Sequence, residues 1–202
     1  MPKQIIPSRK TALQRMQEAN SYSKTNAEFL TWSYYDQISL LSTTLTHTFF
    51  VTGTGTGKNL SQTNMPTSGQ LPQGQSFVIH EIGLLYSTDT VSGTTDLLEW
   101  YKVLANTTVE FKVTGKDSLF TITLQELCGA STLFAITPTA AGDNISQIQP
   151  WYRGVWKLKK YPITIGATQT FNIEMVHHVA PSADLDGNLV KLFLRGDLRR
   201  LS

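Results

Sequence analysis

Beyond roughly the first thirty-five residues, the apolar and β-branched side chains fall into runs with a period near two, broken by Gly, Asn, Asp and Pro. A period of two sends successive side chains to opposite faces of an extended chain, a pattern no helix can use. Strands with one apolar face must stack that face against a second layer. Gln37 to Val51 is rich in Thr, Leu and Phe and predicts one long strand. Phe77 to Ser87 predicts another, with Phe77, Ile79, Glu81 and Gly83 on one side and Val78, His80, Ile82 and Leu84 on the other. Thr108 to Thr114 and Ser118 to Leu124 flank a hairpin turn at Gly115-Lys116-Asp117. Leu133 to Thr137 is a short candidate strand, and Trp156 to Ile165 and Thr168 to His177 are two more, joined at Gly166-Ala167. Leu189 to Leu198 closes the series after the turn Asp184 to Asn188. One internal helix is expected over Asp96 to Ala105, where Leu97, Leu98, Tyr101 and Leu104 share a face.

About eight strands, long irregular loops and no internal repeat predict a mainly β fold: an eight-stranded two-sheet sandwich, a single jelly roll, with one or two short helices. Two regions are expected, an arm over residues 1–35 and the β domain over 36–202. Lys3, Arg9, Lys10 and Arg15 all precede the first acidic residue, Glu18, so the arm is basic. Ser8 to Asn20 reads as a short helix that needs something to lie on. Asn20 to Tyr35 reads as irregular, with one helical turn around Ala27 to Leu30. Between the first two predicted strands, Thr52 to Gln75 is a loop rich in Gly, Thr, Asn, Gln and Pro, of a length usually ordered by function or by a partner.

Charged residues make up only 16% of the chain and apolar ones 40%. Uncharged hydroxyls and amides are less costly to bury against other protein than charges are; strand propensity of Thr is the competing explanation. A net charge of +2 does not by itself call for nucleic acid. The single cysteine, Cys128, excludes an internal disulfide framework and reads as a small buried hydrophobe. The opening residues lack a leader's apolar core and no apolar run reaches spanning length, so the chain is expected in a cytoplasm or released from one by lysis.

Gly53 to Lys58 has the texture of a phosphate loop, but Thr52 stands where the first glycine belongs and Asn59 where the magnesium-binding hydroxyl belongs. A flexible loop is the better expectation. His177 and His178 are adjacent on a strand and point oppositely, and His47 is expected to be half-buried or to face a neighbour. Asp184 to Asn188 carries too few oxygen ligands for calcium. No nucleophile motif is present, so no enzyme activity, metal, cofactor or small-molecule substrate is expected. Trp151-Tyr152-Arg153 to Tyr161 interleaves aromatic and basic residues; stacking on single-stranded nucleic acid, an inter-subunit surface and a plain core contribution all fit it.

Thr63-Asn-Met-Pro66, Gly69-Gln-Leu-Pro72 and Gly74 to Gly83, together with the strand Val190 to Leu198, resemble segments of the jelly-roll major capsid proteins of tailless bacteriophages. The resemblance implies a virion shell subunit that binds copies of itself and other virion proteins, assembled in the host cytoplasm. The expected subunit contacts are Asn64, Met65, Gln70, Trp151, Tyr152 and Arg153. Arg9, Lys10 and Arg15 would lie on the inner surface, toward a neighbouring subunit, the genome or an inner membrane. Two alternatives are a virion decoration protein and a carbohydrate-binding sandwich with Trp100, Trp151 and Trp156 as sugar platforms.

Overall fold

The computed structural model describes residues 27–87, 94–114, 118–128, 155–158, 162–167 and 169–201. The arm residues Arg9, Lys10 and Arg15, the segment Trp151 to Arg153 and the candidate strand Leu133 to Thr137 lie outside them. The described chain is mainly β, in two antiparallel sheets that face each other across one apolar core, as in a β-sandwich. Its strands are β1 (Ala27–Ser39), β2 (Thr46–Phe49), β3 (Gln75–Ser87), β4 (Thr107–Val113), β5 (Phe120–Thr123), β6 (Val155–Lys157), β7 (Ile163–Gly166), β8 (Phe171–His177) and β9 (Leu189–Leu201). Helix α1 (Thr94–Ala105) precedes β4, a single turn α2 (Leu124–Leu127) follows β5, and a 3₁₀ turn spans Ala183–Leu185.

The first sheet has the order β1-β9-β3-β6, with β7 also on β3; the second has the order β2-β8-β4-β5. Pairing is nested. The first strand lies beside the last (β1 on β9), the second beside the next-to-last (β2 on β8), β3 beside β6 and β7, and β4 beside β5. Successive nested pairs fall in alternate sheets, and β9 on β3 and β8 on β4 complete the two layers. β6 and β7 lie end to end along β3, opposite Glu81 to Gly83 and Ser76 to Ile79 respectively.

Alternation builds the second sheet's inner face. β4 and β8 each bury every second residue, giving Val109, Phe111 and Val113 opposite Met175, Ile173 and Phe171. Phe111 stacks on Phe171 and tilts against Phe120. The first sheet contributes Tyr34, Phe77, Ile79, Ile82, Leu84, Leu192, Leu194 and Leu198. Trp100 and Val103 of α1 close one flank, the Trp100 ring stacking on Tyr86 at 4.0 Å between centroids.

Several expectations are corrected. Strict alternation along β3 fails at His80, where a bulge shifts the register between Ile79 and Glu81. The extra residue brings Ile82 and Leu84 into phase with Phe77 and Ile79 on the core side, and leaves both His80 and Glu81 on the outer side. Ala27 to Tyr35 is neither irregular nor a helical turn but the first half of β1, in register with β9 from Ala27↔Leu201 to Ser39↔Leu189. The sheet therefore begins before residue 36. Gln37 to Val51 is not one strand: the chain leaves β1 at Ser39, crosses to the other sheet through Leu40 to Leu45, and resumes as β2. The expected Trp156 to Ile165 strand is split between β6 and β7.

Candidate functional site

The segment from Phe50 to Gly74, which holds most of the expected loop Thr52 to Gln75, packs along the outer edge of β1 at Ser33 to Asp36. Asp36, an inward-facing and fully buried carboxylate on β1, pins it. Its Oδ2 accepts from the Phe50 amide at 2.6 Å, and both its oxygens lie 2.8 Å from the Lys58 ammonium. This explains the lysine that gave the segment its phosphate-loop texture: Lys58 neutralises a buried carboxylate. It also corrects the flexible-loop expectation. Phe50 is held at φ 65, a conformation uncommon for a bulky residue, by that amide bond and by a ring buried against Phe171.

Two further anchors follow. Asn64 Oδ1 accepts from the Tyr35 amide at 2.9 Å and Asn64 Nδ2 donates to the Ser33 carbonyl at 2.7 Å, so this side chain occupies part of the outer edge of β1. Thr63 bridges Asp36 and its hydroxyl donates to the Tyr35 carbonyl. Gln70 Nε2 donates to the Ala167 carbonyl at 3.1 Å and Gln70 pairs Thr170, tying the loop to the connection between β7 and β8. Met65 is 0% exposed and belongs to the core. Of the expected contact residues in the loop, Met65 has no surface to offer, while Asn64 and Gln70 are half-buried and also anchor the loop within the subunit. Met65→Ala is expected to lower stability by about 2–5 kcal/mol in a denaturant titration; an unchanged midpoint would contradict its burial.

The same anchors turn other residues outward. Val51, Leu60, Pro66, Thr67 and Ser68 are exposed, and Leu60 is 70% accessible. Tyr35 donates to the Leu60 carbonyl and the Ser68 hydroxyl to the Val51 carbonyl, so each apolar side chain projects from a fixed backbone. Sequence reasoning passed over Val51 and Leu60, because polarity in a loop does not reveal which of its apolar residues turn inward.

An open depression of about 380 Å³ lies beside the loop, between Val51 and Ser68 and the ends of β4 and β8 at Lys112, Thr114 and Asn172. Lys112 is already engaged, 2.5 Å from Glu174 and 3.3 Å from Glu110. The Glu174 hydrogen bond, opposed by slight desolvation and aided by Glu110, holds the ammonium above its ordinary value and so keeps it protonated. On the outer face of the first sheet, His80 meets Asp197 at 2.9 Å, and Glu81 lies between Arg195 and Lys157. Burial pushes the Cys128 thiol up to about 12, in keeping with its reading as a small hydrophobe. Among the described residues no three His, Cys, Asp or Glu side chains gather as a metal site, and no helix is long and apolar enough to cross a membrane. Of the expected sugar platforms, Trp100 is 8% exposed and stacked on Tyr86, so it offers no free ring face, while Trp156 is half-buried with its ring tilted against Phe120; Trp151 lies outside the described residues.

The chain matches no protein-family model, no curated protein and no solved structure.

Proposed function

We propose that this chain is a self-assembling structural subunit of a virion shell, folded as a single jelly roll. The nested pairing of its strands is the observation that carries the reading. A chain laid out as one long hairpin, turning back between β4 and β5, pairs first strand with last and second with next-to-last. Rolling such a hairpin into a jelly roll would send successive pairs to alternate sheets, as they fall here, and taking β6 and β7 as one interrupted strand would bring the nine described strands to the eight of that fold. The fold also serves sugar binding and other tasks, so it does not name a function by itself. The buried Trp100 weighs against the sugar reading, and the sparse charge and the pinned loop favour assembly.

A loop ordered before contact loses little conformational freedom on docking, so its exposed apolar residues contribute more fully to association. In this reading Val51 and Leu60 replace the buried Met65 and join Asn64 and Gln70 as the contact residues, with neighbouring subunits as their partners. The N-terminal arm, Trp151 to Arg153, other virion proteins and the genome or an inner membrane remain in the proposal as further contacts.

The purified chain is expected to form closed particles of uniform diameter by electron microscopy and sedimentation. Leu60→Asp is expected to weaken self-association at least tenfold, about 1.4 kcal/mol or more, while leaving the melting temperature of the subunit within about 2 °C of the parent. A chain that stays monomeric at every concentration would overturn the shell reading; addition to preformed particles alone would favour a decoration protein. Removing residues 1–26 leaves β1 whole, and particles of unchanged size and yield would dispose of a role for the arm.

A further inference from the structure

We propose that His47, His177 and Thr107 form an acid-released latch that holds the β1–β2 crossing, Leu41 to Leu45, against the end of the second sheet. The three residues continue the apolar alternation of their strands: His47 is in phase with Phe49, Thr107 with Val109, and His177 with Met175. They face inward and are 7%, 2% and 3% exposed for His47, Thr107 and His177. Thr107 sits opposite His177 in the β4–β8 ladder, and the two imidazoles meet edge to face with centroids 5.1 Å apart.

Their hydrogen bonds run in one direction only. The Leu41 amide donates to His47 Nε2 at 3.2 Å, which requires a lone pair on that nitrogen. A neutral His47 then carries its proton on Nδ1 and donates to His177 Nε2 at 3.1 Å. His177 in turn carries its proton on Nδ1 and donates to Thr107 Oγ1 at 2.8 Å. All four ring nitrogens are used, and both rings are neutral. An added proton on His47 Nε2 would face the Leu41 N–H, and one on His177 Nε2 would face the His47 N–H. Either event replaces a hydrogen bond with two opposed donors in a buried site.

The latch joins the crossing to three strands, β2, β4 and β8. It takes the Leu41 amide from the crossing, and the neighbouring His177 amide donates to the Leu45 carbonyl at 2.7 Å, so the crossing is held at both ends. The surrounding titratable groups do not compensate a buried positive charge through these bonds. His178 lies on the exposed face with Thr108, and its charge opposes protonation of His177. Asp186 holds Ser42 of the crossing, at 2.5 Å from its amide and 3.1 Å from its hydroxyl, and Asp184 bonds Ser182 in the adjoining turn. Glu110 and Glu174 lie on the opposite face of their strands with Lys112, and Lys102 of α1 pairs with Glu99.

Burial lowers both imidazoles, His177 to about 4 with the charges of His47 and His178 as smaller causes. The sign follows. A released crossing lets these rings bind protons at their ordinary value near 6.5, whereas the closed site keeps them neutral. Closure is therefore complete above about pH 6.5 and weakens progressively as pH falls toward about 4. Within that window each proton taken up on opening raises the open population about tenfold per pH unit.

The test uses the full chain and two mass-spectrometric readings. Slow exchange of the imidazole C2 hydrogen should show both His47 and His177 titrating below 6.5. Amide exchange of the peptide spanning residues 40–46, corrected for its intrinsic pH dependence, should lose protection at least tenfold between pH 6.5 and 5 while β4 keeps its protection. In His47→Gln, whose amide can still accept from Leu41 and donate to His177, the slope should fall toward that of a single proton. Histidines that titrate at the ordinary value, or protection of residues 40–46 that does not change with pH, would overturn the latch. The wild-type readings decide the matter even if the variant does not fold. None of them depends on whether the chain forms shells.

Discussion

Gly196→Ala is expected to abolish cooperative folding or to lower stability by more than about 3 kcal/mol, the largest effect of any methyl-sized change in the described chain. Gly196 lies in the middle of β9, opposite Ile79 and directly before the bulge at His80. A Cβ built there falls 1.8 Å from the Val78 carbonyl oxygen, 2.8 Å from its carbon and 3.0 Å from the Ile79 Cα. All three are backbone atoms of the central strand β3, so no rotamer change relieves the clash. β9 and β3 would have to separate, and with them the ladder that joins β1 to the rest of the first sheet. Most overpacking costs only about 1–3 kcal/mol because side chains give way. Gly187→Ala is the control: its φ is 87 but nothing lies within 4 Å of the added carbon, so only the conformational cost of about 1–2 kcal/mol is expected. Soluble yield and denaturant midpoints compare the two, and a Gly196→Ala midpoint equal to that of Gly187→Ala would refute the close-approach account.

Lys58→Met should cost about 3–5 kcal/mol, far more than the loss of a surface ion pair. Asp36 is fully buried and Lys58 is 17% exposed, so removing the ammonium leaves a carboxylate without its counter-charge inside the sandwich. The Phe50 amide bond remains but cannot replace a charge, and the positive φ of Phe50 depends on that same carboxylate. Adding Asp36→Asn to Lys58→Met should recover part of the loss, because a neutral amide oxygen still accepts from Phe50 and no charge is then stranded. A double-mutant cycle by urea denaturation measures this. Coupling below about 0.5 kcal/mol would mean that the pair contributes no more than a solvated one.

These two residues also mark how far the sequence could be followed. Gly196 stood in a run of strand formers as an ordinary strand residue, and Lys58 stood in a glycine-rich segment as a failed phosphate loop. In both cases the deciding partner, Val78 or Asp36, is distant in the chain and brought near only by tertiary structure, the pairing of β3 with β9 in one case and the packing of the loop on β1 in the other. His177 and His178 were separable by alternation, since adjacent strand residues point oppositely. That His177 meets His47 and Thr107 was not, because two different strand pairings create that corner.

By itself the sequence determined the mainly β class, the helix before β4, and the strands β3, β4, β8 and β9 to within a few residues. These depend on a local period that a core on one side of a strand imposes directly. Only the tertiary structure decided that Ala27 to Tyr35 is strand, since its apolar residues fall on both faces and its order comes from β9. It alone decided that Leu40 to Leu45, rich in strand formers, leaves one sheet for the other. It also set the bulge at His80, where keeping both halves of β3 on one core outweighs a regular ladder, and it turned Met65 inward and Leu60 outward. A period records which side of a strand is buried; which partner buries it is a property of chain segments far apart in sequence.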